Sequence, residues 1–569
     1  MAFNIDSIPE IEPTSGYSSE DQIAKKPQKK KNILCHLPDI IEKAGSALHF
    51  FKKYSAKTAE REVIPRPVQV FNSWEIANRL KNINDPTTAL KPIITVSSPP
   101  ASEGSNRVLE AVFIHENNPV LAQLDQIGNQ LDFKTKKFIR KTLVLEDNFI
   151  MLEDKTILLP YYDYQCRYIN GKQYPRWFME HFLSLIGNMN SYLSILNHYD
   201  INVDPVTDEI KPNLQGNTLS LNHAHAIEVT QFGENRKFRV SRVYLEGGNV
   251  LTTEKSDGSK GIIIGEHSVI GSLIALEWQD HFIDEKNKEF SKIKIENKIK
   301  QLNILPIEIA YIKNILLESG RMAMGKDSPP FEQQTKEFIA KLELTKDVIA
   351  EELSVKRSDI SFIPQIGFHI DMYMRPGPNG QIFINDEKES IKTLDLILEN
   401  KKYEGFDQLC LAKYREKAKK LTAIDIADYN ADVSKSPEVA KARKEAYLWQ
   451  FMMQQINEIL QRDNYVVRPI AGSFGADLIN QSDYRRVNLF ISFLNSLTGE
   501  VENGKYFYIT CSSSIKELDN AFAAKISSYG IDKDLIFFLD DPTRKIILSR
   551  TLLDCSTIEE LKSNIEASK

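Results

Sequence analysis

An acid followed by two glycines, set between apolar runs, limits what this chain can fold into more than any other stretch: Tyr244-Leu245-Glu246-Gly247-Gly248-Asn249-Val250-Leu251. The apolar approach from Phe238 to Leu245 reads as a strand, and Val250-Leu251 resumes the apolar pattern. Paired glycines let the backbone take φ > 0 and let a neighbouring group come into contact with the main chain. A carboxylate at that point is presented from a strand end rather than from a mobile loop. Standing alone, such a stretch is more often a plain bulge or tight turn.

The surroundings favour alternating strands and helices. Val108 to Ile114 reads as a strand, followed by a mixed helical stretch to Arg140, and Thr142 to Leu152 reads as a strand pair. Trp177 to His198 carries apolar residues at helical spacing. Charged helical stretches over about 283–358 and 387–462 read as insertions. Strand character returns at Tyr465 to Pro469. Val487 to Leu494 and Tyr506 to Thr510 read as a hairpin-like pair around Gly504. A helix over Ile515 to Ser527 and short strands at Leu535 to Leu539 and Lys545 to Leu548 complete the pattern, which is α/β. Residues 1–32 read as a flexible polar tail with a basic run from Lys25 to Lys31. Residues 33–106 read as a helical extension and a proline-rich connector.

Composition narrows the function. The chain has 569 residues, 42% of them hydrophobic and 26% charged, with a formal net charge of −6. That balance disfavours a protein that coats nucleic acid. No apolar run reaches the roughly 18 residues of a membrane helix, and residues 1–20 lack the basic-then-apolar pattern of a signal peptide. The 5 cysteines (Cys35, Cys166, Cys410, Cys511, Cys555) are widely spaced and form no CxxC pair. A disulfide framework or zinc site is therefore not expected, and reduced thiols suit the cytosol, of a bacterium or of a host reached by secretion.

Phe368-His369-Ile370-Asp371-Met372 is the second stretch with chemical content. Read as part of a strand over Ile366 to Met374, it would place His369 and Asp371 on one face and turn Ile370 and Met372 into the core. Two cysteines lie downstream. Cys511 follows a strand and precedes a helix, and a helix N-terminus lowers a thiol's pKa. Cys555 follows in Leu553-Asp554-Cys555-Ser556-Thr557.

In this order, acid-Gly-Gly, His-x-Asp and a late cysteine resemble the pentein superfamily of guanidine-modifying enzymes. These include the arginine, agmatine and peptidylarginine deiminases and the amidinotransferases. Val501-Glu502-Asn503-Gly504-Lys505 and the following strand also resemble the segment before the last helix of the peptidylarginine deiminases. The resemblance covers 107–569 and implies a five-bladed α/β propeller with helical insertions and an N-terminal extension. It implies Cys555 as nucleophile, with Cys511 second to it, and His369 as acid and base, steered by Glu246. Asp147 and Asp371 would grip the guanidinium, Asn249 would shape the loop, and Arg550 would bind a substrate carboxylate, with Arg242 and Arg375 as further candidates. The chemistry fits: a delocalised cation needs a thiolate attacker, paired carboxylates and a histidine that shuttles protons. It needs no metal or cofactor. The implied reaction is deimination of arginine or a derivative, free or protein-borne. The alternatives are amidino transfer by the same residues and a non-catalytic binding module.

Overall fold

Strand pairing carries the architecture. The computed structural model describes residues 67–72, 93–96, 98–101, 108–139, 149–159, 231–233, 236–282, 291–302, 328–364, 369–399, 406–423, 437–479, 486–501, 504–540, 553 and 557–561. Strands β1 (Pro67–Asn72) and β2 (Ile93–Val96) pair antiparallel. β3 (Leu109–His115) then runs parallel to β4 (Lys134–Phe138), with helix α1 (Leu121–Leu131) between them. A parallel pair needs such a crossover, whereas an antiparallel pair closes through a short turn.

The same unit recurs along the chain. β5 (Ile150–Met151) lies antiparallel to β6 (Ile157–Leu159), which is parallel to β7 (Lys237–Val240). β8 (Val250–Glu254), β9 (Lys260–Gly265) and β10 (Ile360–Ile363) repeat that pairing. Their crossover contains α2 (Glu266–Phe282), α3 (Lys292–Gln301) and α4 (Phe331–Glu352). β11 (Met374–Pro376), β12 (Gln381–Asn385) and β13 (Val466–Ile470) follow the rule again. Here the crossover holds α5 (Glu387–Glu399), α6 (Phe406–Thr422) and α7 (Pro437–Arg462). A separate hairpin, β14 (Ser473–Ile479) with β15 (Arg486–Ser492), precedes β16 (Leu497–Glu500), β17 (Tyr506–Cys511) and β18 (Ile536–Leu539). The last two run parallel across α8 (Lys516–Ser527). Finally β19 (Thr557–Leu561) pairs antiparallel with β3, so a late strand completes the first unit. The protein is thus mixed α/β with small sheets, and among the described residues none of them closes into a barrel.

β9 shows why these residues make such a unit. Gly261-Ile262-Ile263-Ile264 is a continuous β-branched run, the pattern of a strand covered on both faces. Ile262 and Ile264 pack with helices α2 and α4, while Ile263 joins the cluster of Leu251, Ile370, Met374 and Ile382. Each such side chain contributes on the order of 2 kcal/mol by leaving water.

Several sequence expectations need correction. Residues 67–96, read as connector, supply β1 and β2, and β1 extends the sheet of β7. β4 falls inside a stretch read as helical, because Lys134-Thr135-Lys136-Lys137 has no apolar alternation to mark it. β15 pairs with β14 rather than β17, whose hairpin partner is β16. Gly504, at φ 76°, makes the β16–β17 turn. The segment holding His369 is not a strand up to Met374: Tyr373 and Met374 donate their N–H groups back to the Ile370 carbonyl, which makes a turn leading into β11. The expected helix at 177–198, the Thr142–Asn148 part of the early strand pair and the expected strand at 545–548 lie outside the described residues.

Candidate active site

Glu246 ends the approach from β7 in extended backbone (φ −97°, ψ 135°), and Gly247–Asn249 form a single 3-10 turn before β8. Neither Gly247 nor Gly248 is among the glycines with positive φ, so conformational freedom is not what this turn uses. Close approach is. A Cβ on Gly248 would lie 2.6 Å from His369 Nδ1 and 3.3 Å from Asp371 Cγ, so any side chain there would displace both. The two residues expected to share the face of a strand instead share contact with one glycine.

Backbone pairing fixes this arrangement. Asp371 N–H donates to the Gly248 carbonyl at 3.1 Å, and Ile370 N–H donates to Asn249 Oδ1 at 3.2 Å. The segment therefore pairs with the Gly-Gly turn, which is why it bends instead of extending a sheet. Ile370 and Met372, expected to point into the core together, enter different apolar clusters.

Glu246, His369, Asp371 and Asn249 are all buried, none more than 3% exposed. Glu246 Oε2 lies 3.4 Å from His369 Nε2 and accepts from Asn249 Nδ2 at 3.0 Å. Its other oxygen accepts from the Tyr244 hydroxyl. Burial pushes the Glu246 carboxyl up, but the His369 hydrogen bond and charge, the Tyr244 hydroxyl and His267 outweigh it and hold the group below the usual carboxylate range. A buried carboxylate in contact with an imidazole orients that ring and stabilises its protonated form. Asp371 Oδ2 accepts from the Asn495 side-chain amide. The arrangement can hold a proton on His369 and present a carboxylate beside it.

The other expected residues divide by position. Cys555, Asp147 and Arg550 lie outside the described residues. Cys511, the second thiol candidate, ends β17 and is 5% exposed within an apolar cluster with Met372, Leu539 and Leu553. Helix α8 begins only at Lys516. Arg242 Nε donates to Glu352 Oε1 at 2.8 Å, and Arg375, fully buried, has Nη2 3.9 Å from Glu559 Oε1. Among the described residues no group of His, Cys, Asp or Glu is arranged to hold a metal ion, and no helix is long and apolar enough to cross a membrane.

Four contributors carry no signal in the sequence pattern. In the sequence Tyr244 is only a flank of the glycines, yet its hydroxyl donates to Glu246. Ser272 Oγ on α2 holds the Tyr244 carbonyl at 2.8 Å. His267 acts on Glu246 from the start of α2. Asn495 follows β15 in Phe493-Leu494-Asn495-Ser496, and nothing local distinguishes it there.

No family model matches the chain, and no curated protein does. Solved structures similar to it include a C. jejuni agmatine deiminase, 12% identical, with 81% of this chain and 96% of that chain covered and a TM-score of 0.35. A cysteine-to-serine variant of agmatine deiminase from C. jejuni with substrate bound is 10% identical over 81% of this chain and 96% of that chain, at a TM-score of 0.34. Likeness at that level carries no argument, and the functional reading rests on the site.

Proposed function

We infer that the chain is a guanidino-group hydrolase that works through a cysteine and needs no metal. One observation carries the reading: Glu246, His369 and Asp371, far apart in sequence, meet in a buried cluster around Gly248. Burying a histidine with two carboxylates is costly unless the charges serve each other or a substrate.

In the proposed reaction, the Cys555 thiolate attacks the guanidinium carbon while Asp371 and Asp147 hold the nitrogens. His369, oriented by Glu246, gives a proton to the departing ammonia, leaving an amidino-thioether on sulfur. The histidine then takes a proton from water, whose oxygen attacks the same carbon. The C–S bond breaks, and the products are a ureido group, ammonium and the free thiolate. Asn249 keeps Glu246 and the Ile370 backbone in register, and Arg550 is assigned to a substrate carboxylate.

The neighbours of Cys555 support its role. Leu553 is fully buried in the apolar cluster that includes Met372, and Thr557 pairs with Ile114. The recurring strand-strand-crossover-strand unit supports a five-bladed propeller over 107–569, with helical insertions at 283–358 and 387–462. Thiol chemistry suits a reducing compartment.

The test is mass spectrometry of arginine, agmatine and an arginine-containing peptide after incubation with the protein. Release of ammonia together with exchange of an imino group for oxygen is the expected result. Transfer of the amidino group to added glycine would assign the alternative reaction. Unchanged substrates in every mixture would overturn the reading.

A further inference from the structure

Asp371 is held from two sides, and only one of them belongs to the Gly-Gly turn. The other is Asn495, fully buried, which lies beyond the β14–β15 hairpin and donates its side-chain amide to Asp371 Oδ2. An ionised carboxylate offers only acceptors, so the nitrogen of Asn495 must face it.

The asparagine is fixed in turn. Its backbone N–H donates to Ser492 Oγ at 3.2 Å, and Ser492 Oγ donates to the Met372 carbonyl at 2.9 Å. Ser473, the register partner of Ser492, also donates its hydroxyl to that carbonyl. Asp371, Met372, Ser492 and Asn495 therefore form a closed hydrogen-bonded ring, buried throughout. A ring of this kind sets the rotation of the Asp371 carboxylate as well as its position.

We propose that Asn495 is a positioning residue that orients Asp371 toward a cationic substrate. An amide suits that task better than a lysine or arginine would. It steadies the carboxylate by hydrogen bonding without bringing a positive charge that would compete with a guanidinium for the same oxygens. The assignment rests on the deimination reading for its kinetic test and on geometry alone for its titration test.

Asn495→Leu removes the donor at similar volume, and Asn495→Asp sets a second carboxylate against the first. Two carboxylates at hydrogen-bond distance cannot both ionise comfortably, but they share a proton well. The thermal midpoint of Asn495→Asp is expected to fall furthest below wild type near pH 8 and to approach it as the pH drops to about 5. The deficit of Asn495→Leu, which adds no ionisable group beside Asp371, should vary less across that range. With agmatine or arginine as substrate, Asn495→Leu should raise KM about tenfold or more. An Asn495→Asp deficit that ignores pH would overturn the contact, and an unchanged KM in folded Asn495→Leu would overturn the role. If wild type turns over no guanidine, the deimination reading fails, and the titration alone then decides whether Asn495 holds Asp371.

Discussion

At the residue scale, the site depends on the absence of a side chain at Gly248. Gly248→Ala would force a methyl to 2.6 Å from His369 Nδ1, closer than real Cβ contacts come. Because Gly248 has no positive φ, the backbone should accept alanine, and the damage should be local. The expected outcome is a loss of about a hundredfold in kcat with the fold retained, read by steady-state kinetics beside circular dichroism. Glu246→Gln keeps the shape but removes the charge facing His369, and should lower kcat by at least about a hundredfold. It should also alter acid unfolding. The folded carboxyl is held below its usual range, so it contributes stability that is present above the unfolded pKa and lost as pH falls through the folded one. A flatter acid limb in Glu246→Gln is the check. Glu246, His369 and Asp371 were legible because acid-Gly-Gly and His-x-Asp each stand in a few consecutive residues. Asn495 was not, since its bond to Asp371 spans 124 positions and leaves no local pattern.

At the element scale, backbone partners decided what local pattern could not. His369 to Met372 alternates as a strand should, but its N–H groups go to Gly248 and Asn249, and the segment turns. β17 and the helix before β13 were readable because their apolar periods are strong. β4, with four polar residues, and β14, which includes Gly475 and Ala476, were not. Helix α5 carries a separate consequence. Burial first, and then the neighbouring Asp386, raise the Glu387 carboxyl from 4.5 to about 8, and it accepts from Asn385 at 3.1 Å. Between those values the folded chain keeps a proton that the unfolded chain has lost, so stability falls as pH rises and the loss is complete above about 8. Glu387→Gln should therefore gain stability over wild type, on the order of 3 kcal/mol at pH 8–9, and lose that advantage near pH 4. Urea unfolding across that range measures it.

At the scale of the whole molecule, distant parts of the sequence are fastened together. β19 completes the sheet of β3, and its Glu559 faces Arg375, four residues after Asp371, across 3.9 Å. Arg375 was a candidate for binding a substrate carboxylate; its place beside Glu559 gives it a part in joining β11 to β19. Arg375 is fully buried and Glu559 only partly so, and removing the carboxylate takes an opposite charge away from the buried guanidinium. Glu559→Gln should lower the urea midpoint, and by more than removing a member of the exposed Lys505–Asp532 pair does. That closure follows Leu553, two residues before Cys555 in sequence, which is buried in the same apolar cluster as Met372. The account comes down to whether the Cys555 sulfur carries the reaction. Acid quenching during turnover, followed by peptide mapping, reads it directly: an amidino adduct on the peptide containing Cys555 is expected. An adduct on Cys511, or sustained turnover with no adduct on any cysteine, would contradict it.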